Sequence, residues 1–136
     1  MSYLRLLKEA YDSNKLNYAD IFKSINHVGA YLSNAYMDVI IPSLGRERYL
    51  VSTLNYLCRS IKSCDKVVNV IVEDFDDSEL VKSCVNQLKS SVNIIYLNCS
   101  PIKDLFSRSL AMNVPVYYFK SDSQYIMLHD SDLLVD

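Results

Sequence analysis

The sequence predicts an α/β protein with a Rossmann-like, mostly parallel sheet and helices on both faces. Short continuous apolar runs alternate with stretches whose apolar residues recur at helical spacing. Their order is strand, helix, strand, helix, strand, helix, strand, which is the pattern of βαβ units. Arginines and clustered acids stand directly after the apolar runs, on the rim where such sheets place their ligands. A chain of 136 residues, 50% apolar and 22% charged, suits one compact core and is too short for two.

Residues 1–36 read as a helical extension ahead of the main unit at 37–136. Tyr3, Leu4, Leu6, Leu7, Ala10 and Tyr11 recur at helical spacing, as do Ile21, Phe22, Ile25, Val28 and Leu32. His27 lies on the edge of that second stripe, where a packed or solvated side chain is expected rather than a ligand. Val39, Ile40 and Ile41 then form a buried strand, ended by Pro42 and Gly45. Leu50, Val51, Leu54, Leu57, Cys58 and Ile61 mark a helix. Val67, Val68, Val70, Ile71 and Val72 mark the second strand, and Leu80, Val81, Cys84, Val85 and Leu88 the next helix. Val92, Ile94, Ile95, Tyr96 and Leu97 make a third strand. Pro101 opens a helix with the stripe Ile102, Leu105, Phe106 and Leu110, since proline suits a first turn. The stretch 113–123 holds an extra strand at 116–119. Tyr125, Ile126, Met127 and Leu128 form a last buried strand.

Composition narrows the function classes. With 14 basic and 16 acidic residues the formal charge is -2, which argues against general affinity for a nucleic acid backbone. Only 2 glycines leave no room for a dinucleotide fingerprint or a Walker loop. No apolar run approaches the roughly 18 residues of a membrane span, and the N-terminus lacks the apolar segment of a signal peptide. Cys58, Cys64, Cys84 and Cys99 form no CxxC pair, so they read as reduced thiols of a cytoplasmic protein.

The chemistry-bearing residues follow the strands. Asp130 and Asp132 stand at positions i and i+2 of extended chain, on one side and about 6–7 Å apart. Two such carboxylates suit a hard divalent cation, manganese or magnesium, or else form a solvated acidic turn. A cation held there bridges phosphates and stabilises charge on a leaving diphosphate. In the cluster from Glu73 to Glu79, Asp76, Asp77 and Glu79 suit a helix start, with Ser78 or Asp77 as its cap. Glu73 and Asp74 lie nearer the strand end, where a carboxylate accepts from the N–H of a base. Arg108 lies off the apolar stripe of its helix. It either pairs with Asp104 one turn back or meets a phosphate at the rim.

These segments resemble family 2 inverting glycosyltransferases. DVIIPSLGRERYL is similar to that family's opening strand, P-x-x-N-R loop and helix, and VNVIVEDFDDSEL to its second strand, which ends in paired acids and a serine. FSRSLA resembles its A-R-N-x-G helix segment, and QYIMLHDSDLLVD the strand leading into its DxD motif. The matches keep the family's order and cover about residues 37–136. The resemblance implies a GT-A fold that binds a nucleoside-diphosphate sugar, a uridine diphosphate donor by default, and passes the sugar to a glycan or other hydroxyl acceptor. Pro42, Ser43 and Arg46 would line the nucleotide, and Glu73 or Asp74 would meet the base. Arg108 would approach the base or diphosphate, Asp130 would face the ribose or metal, and Asp132 would ligate the metal.

The sequence also departs from that pattern. Gly45 stands where the family has asparagine, Glu73 replaces an aspartate, and Ser109 replaces the asparagine after the arginine. No residue is assigned as the catalytic base. The acceptor half would follow Asp136, so the chain is expected to be the donor-binding half, with its last strand as an exposed apolar edge open to self-association. The alternatives are a non-catalytic nucleotide- or metal-binding α/β module, and a phosphatase-like enzyme, since LHDSDLLVD also resembles an aspartyl nucleophile loop.

Overall fold

The computed structural model describes residues 18–131. The expected helix through Tyr3 and Tyr11, and Asp132 of the acidic pair, lie outside the described residues. In chain order the elements are α1 (Tyr18–Ser24), β1 (Asn26–Val28), β2 (Met37–Ser43), α2 (Glu47–Lys62), β3 (Val68–Asp74) and α3 (Glu79–Leu88). Then follow β4 (Ile94–Asn98), a 3₁₀ segment (Ser100–Leu105), α4 (Arg108–Tyr118) and β5 (Tyr125–Leu128). The protein is α/β, with a five-stranded sheet in the order β1-β4-β3-β2-β5. Strands β2 to β5 run parallel to one another, and β1 pairs antiparallel with β4. Among the described residues no helix is long and apolar enough to cross a membrane.

The alternation of side chains across the sheet sorts the core onto both faces. Val39, Ile41, Val70, Val72, Ile94 and Tyr96 pack against Leu50, Leu54 and Cys58 of α2 and Val81, Cys84 and Val85 of α3. On the other face Ile40, Ile71 and Ile95 meet Met112 and Val116 of α4. Ile21 of α1 joins Leu97, Ile102 and Leu110 there. The four cysteines are free thiols, with Cys58, Cys84 and Cys99 buried and Cys64 exposed. Burial pushes the Cys58 thiol up to about 12.

Several expectations are corrected. The helical stripe from Ile21 stops at Ser24, and the following residues form β1, with Val28 and Leu32 exposed. Gly29 explains the tight exit from β1: its φ is +110, and a Cβ there would lie 2.9 Å from the Ile94 carbonyl oxygen. His27 packs edge-on against Tyr118 and Phe119, in line with the expected packed side chain, and its Nδ1 shares a hydrogen bond with the Tyr118 hydroxyl at 2.7 Å.

The helix expected from Pro101 is two pieces. A 3₁₀ segment ends at Leu105, Ser107 is extended, and α4 starts afresh at Arg108 with the Ser107 side chain accepting from Leu110 N–H. The stripe concealed the break because Ile102 and Leu105 before it and Leu110 after it are buried in the same core cluster. Residues 116–119 are not a strand but the end of α4 and its cap, despite their branched and aromatic character and Pro115 inside the helix. Packing of Val114, Val116, Tyr118 and Phe119 outweighs propensity there. Finally, β5 is a half-exposed outer strand of the described sheet, with Tyr125 and Ile126 exposed.

The placement of β5 depends on Asp38, whose side chain is buried at the foot of β2. Its Oδ2 accepts hydrogen bonds from the Tyr31 hydroxyl at 2.7 Å and from Ser121. Its Oδ1 accepts from Asn69 Nδ2 at 2.9 Å and Ser123 Oγ at 2.5 Å. Ser121 and Ser123 belong to the α4–β5 connection, and Asn69 to β3. A buried carboxylate surrounded by neutral donors strongly orients them, and its loss leaves them unpaired. Asp38→Ala should therefore lower stability by on the order of 3 kcal/mol, against about 1 kcal/mol for Tyr31→Phe. Urea unfolding midpoints of both variants check this ranking.

Candidate functional site

Sheet topology singles out one place. From β2 the chain moves to β3 and β4, then crosses back to lay β5 on the other side of β2. Strand order therefore reverses between β2 and β5, and the crevice beyond their carboxyl ends is the usual ligand position in such sheets. Pro42 helps to open it. His129 N–H bonds the Ile40 carbonyl, so alternate residues of β2 face β5. Pairing with β5 ends at Ile40 and Leu128, so the missing N–H of Pro42 costs no ladder bond.

A cavity of about 280 Å³ occupies this crevice, lined by Pro42, Leu44, Arg46, Phe106, Arg108, Leu128, Asp130 and Ser131. Pro42, Arg46, Arg108 and Asp130, expected from separate segments, thus share one wall-to-wall space. Arg108 does not pair with Asp104. Its Nη1 donates to Asp130 Oδ1 at 2.9 Å, across the cavity. Ser131 is buried, and its carbonyl accepts from Thr53 Oγ of α2 at 2.7 Å, which fixes the chain after β5. The described lining carries both guanidinium groups and only one carboxylate, between apolar walls of Leu44, Phe106 and Leu128. Such a space suits an anion attached to a flat or apolar body.

Ser43, Glu73 and Asp74 are not surface groups of this cavity. Ser43 is buried, and its hydroxyl has no hydrogen-bond partner among the described residues. Asp74 is fully buried and committed to the β3–α3 loop. Its Oδ1 accepts from Asp76 N–H at 2.9 Å, and its Oδ2 accepts from Ser78 N–H and the Tyr96 hydroxyl, each at 2.7 Å. Burial, and then Asp74, push the Tyr96 hydroxyl well above its ordinary range. Ser78 is the helix cap, with its Oγ accepting from Val81 N–H.

Asp76 was expected only to favour the start of α3, but it reaches across to the loop after β2. Its Oδ2 accepts from Gly45 N–H at 2.7 Å, and its Oδ1 faces Lys103 Nζ at 3.5 Å. Gly45 has φ +67, so this contact holds a left-handed turn between the lining residues Leu44 and Arg46. Sequence offered a signal for Asp76, its place in the acidic cluster, but none for its partner.

Glu73 sits beside Pro42 in register yet is fully buried. Its Oε1 has no partner among the described residues, and its Oε2 has only the Cys99 thiol at 3.9 Å. A buried carboxylate with so little compensation takes up a proton. Burial holds the Glu73 carboxyl well above its ordinary 4.5, with the Cys99 contact offsetting a part. Burial also raises the Cys99 thiol, and the nearby Glu73 and Asp74 raise it further.

Among the described residues, no group of 3 or more His, Cys, Asp or Glu side chains could hold a metal ion. Among the described residues Asp130 alone offers a carboxylate to the cavity, and Arg108 is paired with it. Asp132, the second carboxylate expected at a cation site, lies outside the described residues. No protein-family model matches the chain, and no curated protein matches it. The resemblance to family 2 glycosyltransferases therefore rests on the sequence motifs alone.

The state of Glu73 has a measurable consequence. The folded protein keeps the Glu73 proton after the unfolded chain has lost it, so the unfolded state binds fewer protons above pH 4.5. Stability then falls as pH rises from about 4.5 through the raised folded value. Glu73→Gln, which cannot ionise, should be more stable than the parent at pH 8, with the gap narrowing as pH falls toward 4.5. Thermal melts across that range check it; a gap independent of pH would mean that Glu73 holds no such proton.

Proposed function

We propose that this chain binds a nucleoside-diphosphate sugar, with a uridine diphosphate donor favoured, and serves sugar transfer in a glycosyltransferase of the family 2 kind with a GT-A fold. One observation carries the reading. The crevice between β2 and β5 gathers Pro42, Arg46, Arg108 and Asp130, which the motif resemblance had assigned to the donor from separate segments. In this reading Pro42 and Arg46 line the nucleotide, the Arg108 guanidinium meets the diphosphate, and Asp130 faces the ribose or a cation.

The transfer joins an acceptor hydroxyl, on a glycan or another alcohol, to the anomeric carbon and breaks that carbon's bond to the diphosphate. Negative charge grows on the leaving diphosphate, and the Arg108 guanidinium, once in contact with it, stabilises the transition state more than the ground state. The acceptor proton requires a base within hydrogen-bond reach, and no described residue is assigned that role. A manganese or magnesium ion belongs to this proposal through Asp130 and Asp132, and would add charge neutralisation at the diphosphate when bound.

Calorimetric titration of uridine diphosphate, with manganese and with EDTA, tests the reading. Binding should be stronger with manganese, and Asp132→Ala should remove the metal-dependent part. Equal binding in EDTA would take the cation out of the proposal. Arg108→Ala should weaken diphosphate binding by about 1.5–3 kcal/mol and leave uridine binding nearly unchanged. If both ligands weaken alike, Arg108 shapes the cavity without touching phosphate. Donor hydrolysis or transfer then separates an enzyme from a non-catalytic binding module.

A further inference from the structure

We propose that Asp130 is an internal competitor of the anionic ligand, holding Arg108 in an ion pair that a phosphate group must displace. The inference rests on the reading of the cavity as a diphosphate site. Arg108 opens α4 on one wall, and Asp130 follows β5 on the other. Their side chains meet at 2.9 Å across the space between.

A phosphate reaching Arg108 from the cavity would bring its negative charge beside the Asp130 carboxylate. Like charges at contact distance repel, so the carboxylate must swing away. The geometry permits that with side-chain rotation alone. The Asp130 carbonyl is held by His129 Nδ1 at 2.7 Å, and the next carbonyl by Thr53. The backbone of Arg108 is set by the Ser107 cap. With 70% of the Arg108 side chain and 46% of the Asp130 side chain exposed, the pair lies in a high-dielectric setting and is weak enough to open. Its opening still reduces apparent affinity by the fraction of molecules in which Arg108 is paired. For an exposed ion pair that fraction corresponds to about a twofold to fivefold loss.

Isothermal titration of inorganic pyrophosphate into the full chain, in low salt with EDTA, tests this. The parent is compared with Asp130→Asn, Arg108→Gln and the double variant. Both side chains are partly exposed, and thermal unfolding of each variant confirms that it folds. Asp130→Asn should bind pyrophosphate about twofold to fivefold more tightly than the parent. The same substitution should give a clearly smaller gain in the Arg108→Gln background, because there only a repelling charge is removed and no cation is released. An equal gain in both backgrounds would mean plain charge repulsion and would overturn the competition. Weaker or unchanged binding by Asp130→Asn would overturn it too, while leaving the diphosphate reading intact. Absence of pyrophosphate binding in every variant would overturn the diphosphate reading and this inference together.

Discussion

The position of one buried carboxylate governs the architecture that matters here. Asp38 stands at the foot of β2 and takes hydrogen bonds from Tyr31, Asn69, Ser121 and Ser123. These donors come from the β1–β2 connection, from β3, and from the α4–β5 connection. A carboxylate taken out of water without a cation must have its lone pairs met by donors, or it is very costly. Meeting that requirement brings the chain after α4 to the foot of β2. It thereby supports β5 as the neighbour of β2 on the side opposite β3. Asn69 extends the same network, exchanging hydrogen bonds with the backbone of Leu32 and accepting one from Asn93. The reversal of strand order, and the crevice it creates at the other end of β2, follow from this arrangement.

At that other end the acidic cluster after β3 works largely inward. Asp74 folds its own loop, Asp76 holds the turn at Gly45, and Asp77 pairs with Lys82, which lowers its carboxyl below the ordinary range. The Phe75 ring is buried edge-on to Phe106, at 4.9 Å between centroids, and so supports a lining residue of the cavity from beneath. Glu73 is the exception, a buried acid with almost no compensation. Its cost is that of an uncharged carboxyl group rather than of a charge, because it retains its proton.

The site was legible in the sequence to the extent that its residues stand directly after strands. Pro42, Arg46, Arg108 and Asp130 could be singled out because parallel sheets expose the loops at their carboxyl ends. Glu73 and Asp74 were singled out by the same rule, but both are buried and absent from the described cavity lining. Adjacent residues at a strand end point to opposite faces, and each face here is covered, so neither carboxylate reaches the cavity. Phe106 and Leu128 passed for ordinary members of apolar stripes. Only the break before α4 and the end of β5 show that they line the cavity.

By itself the sequence determined the alternation of strands and helices, since period-3.6 and continuous apolar patterns are local properties of the chain. It also determined that the first strand of the alternation is buried on both faces, and that charged residues gather at the strand ends. The tertiary structure alone decided which strands are neighbours, how β1 turns back to pair with β4, and where the helix after Pro101 breaks. It also decided that Arg108 answers Asp130 rather than Asp104. Those outcomes depend on contacts between residues far apart in the chain, where packing and the pairing of buried polar groups override local propensity.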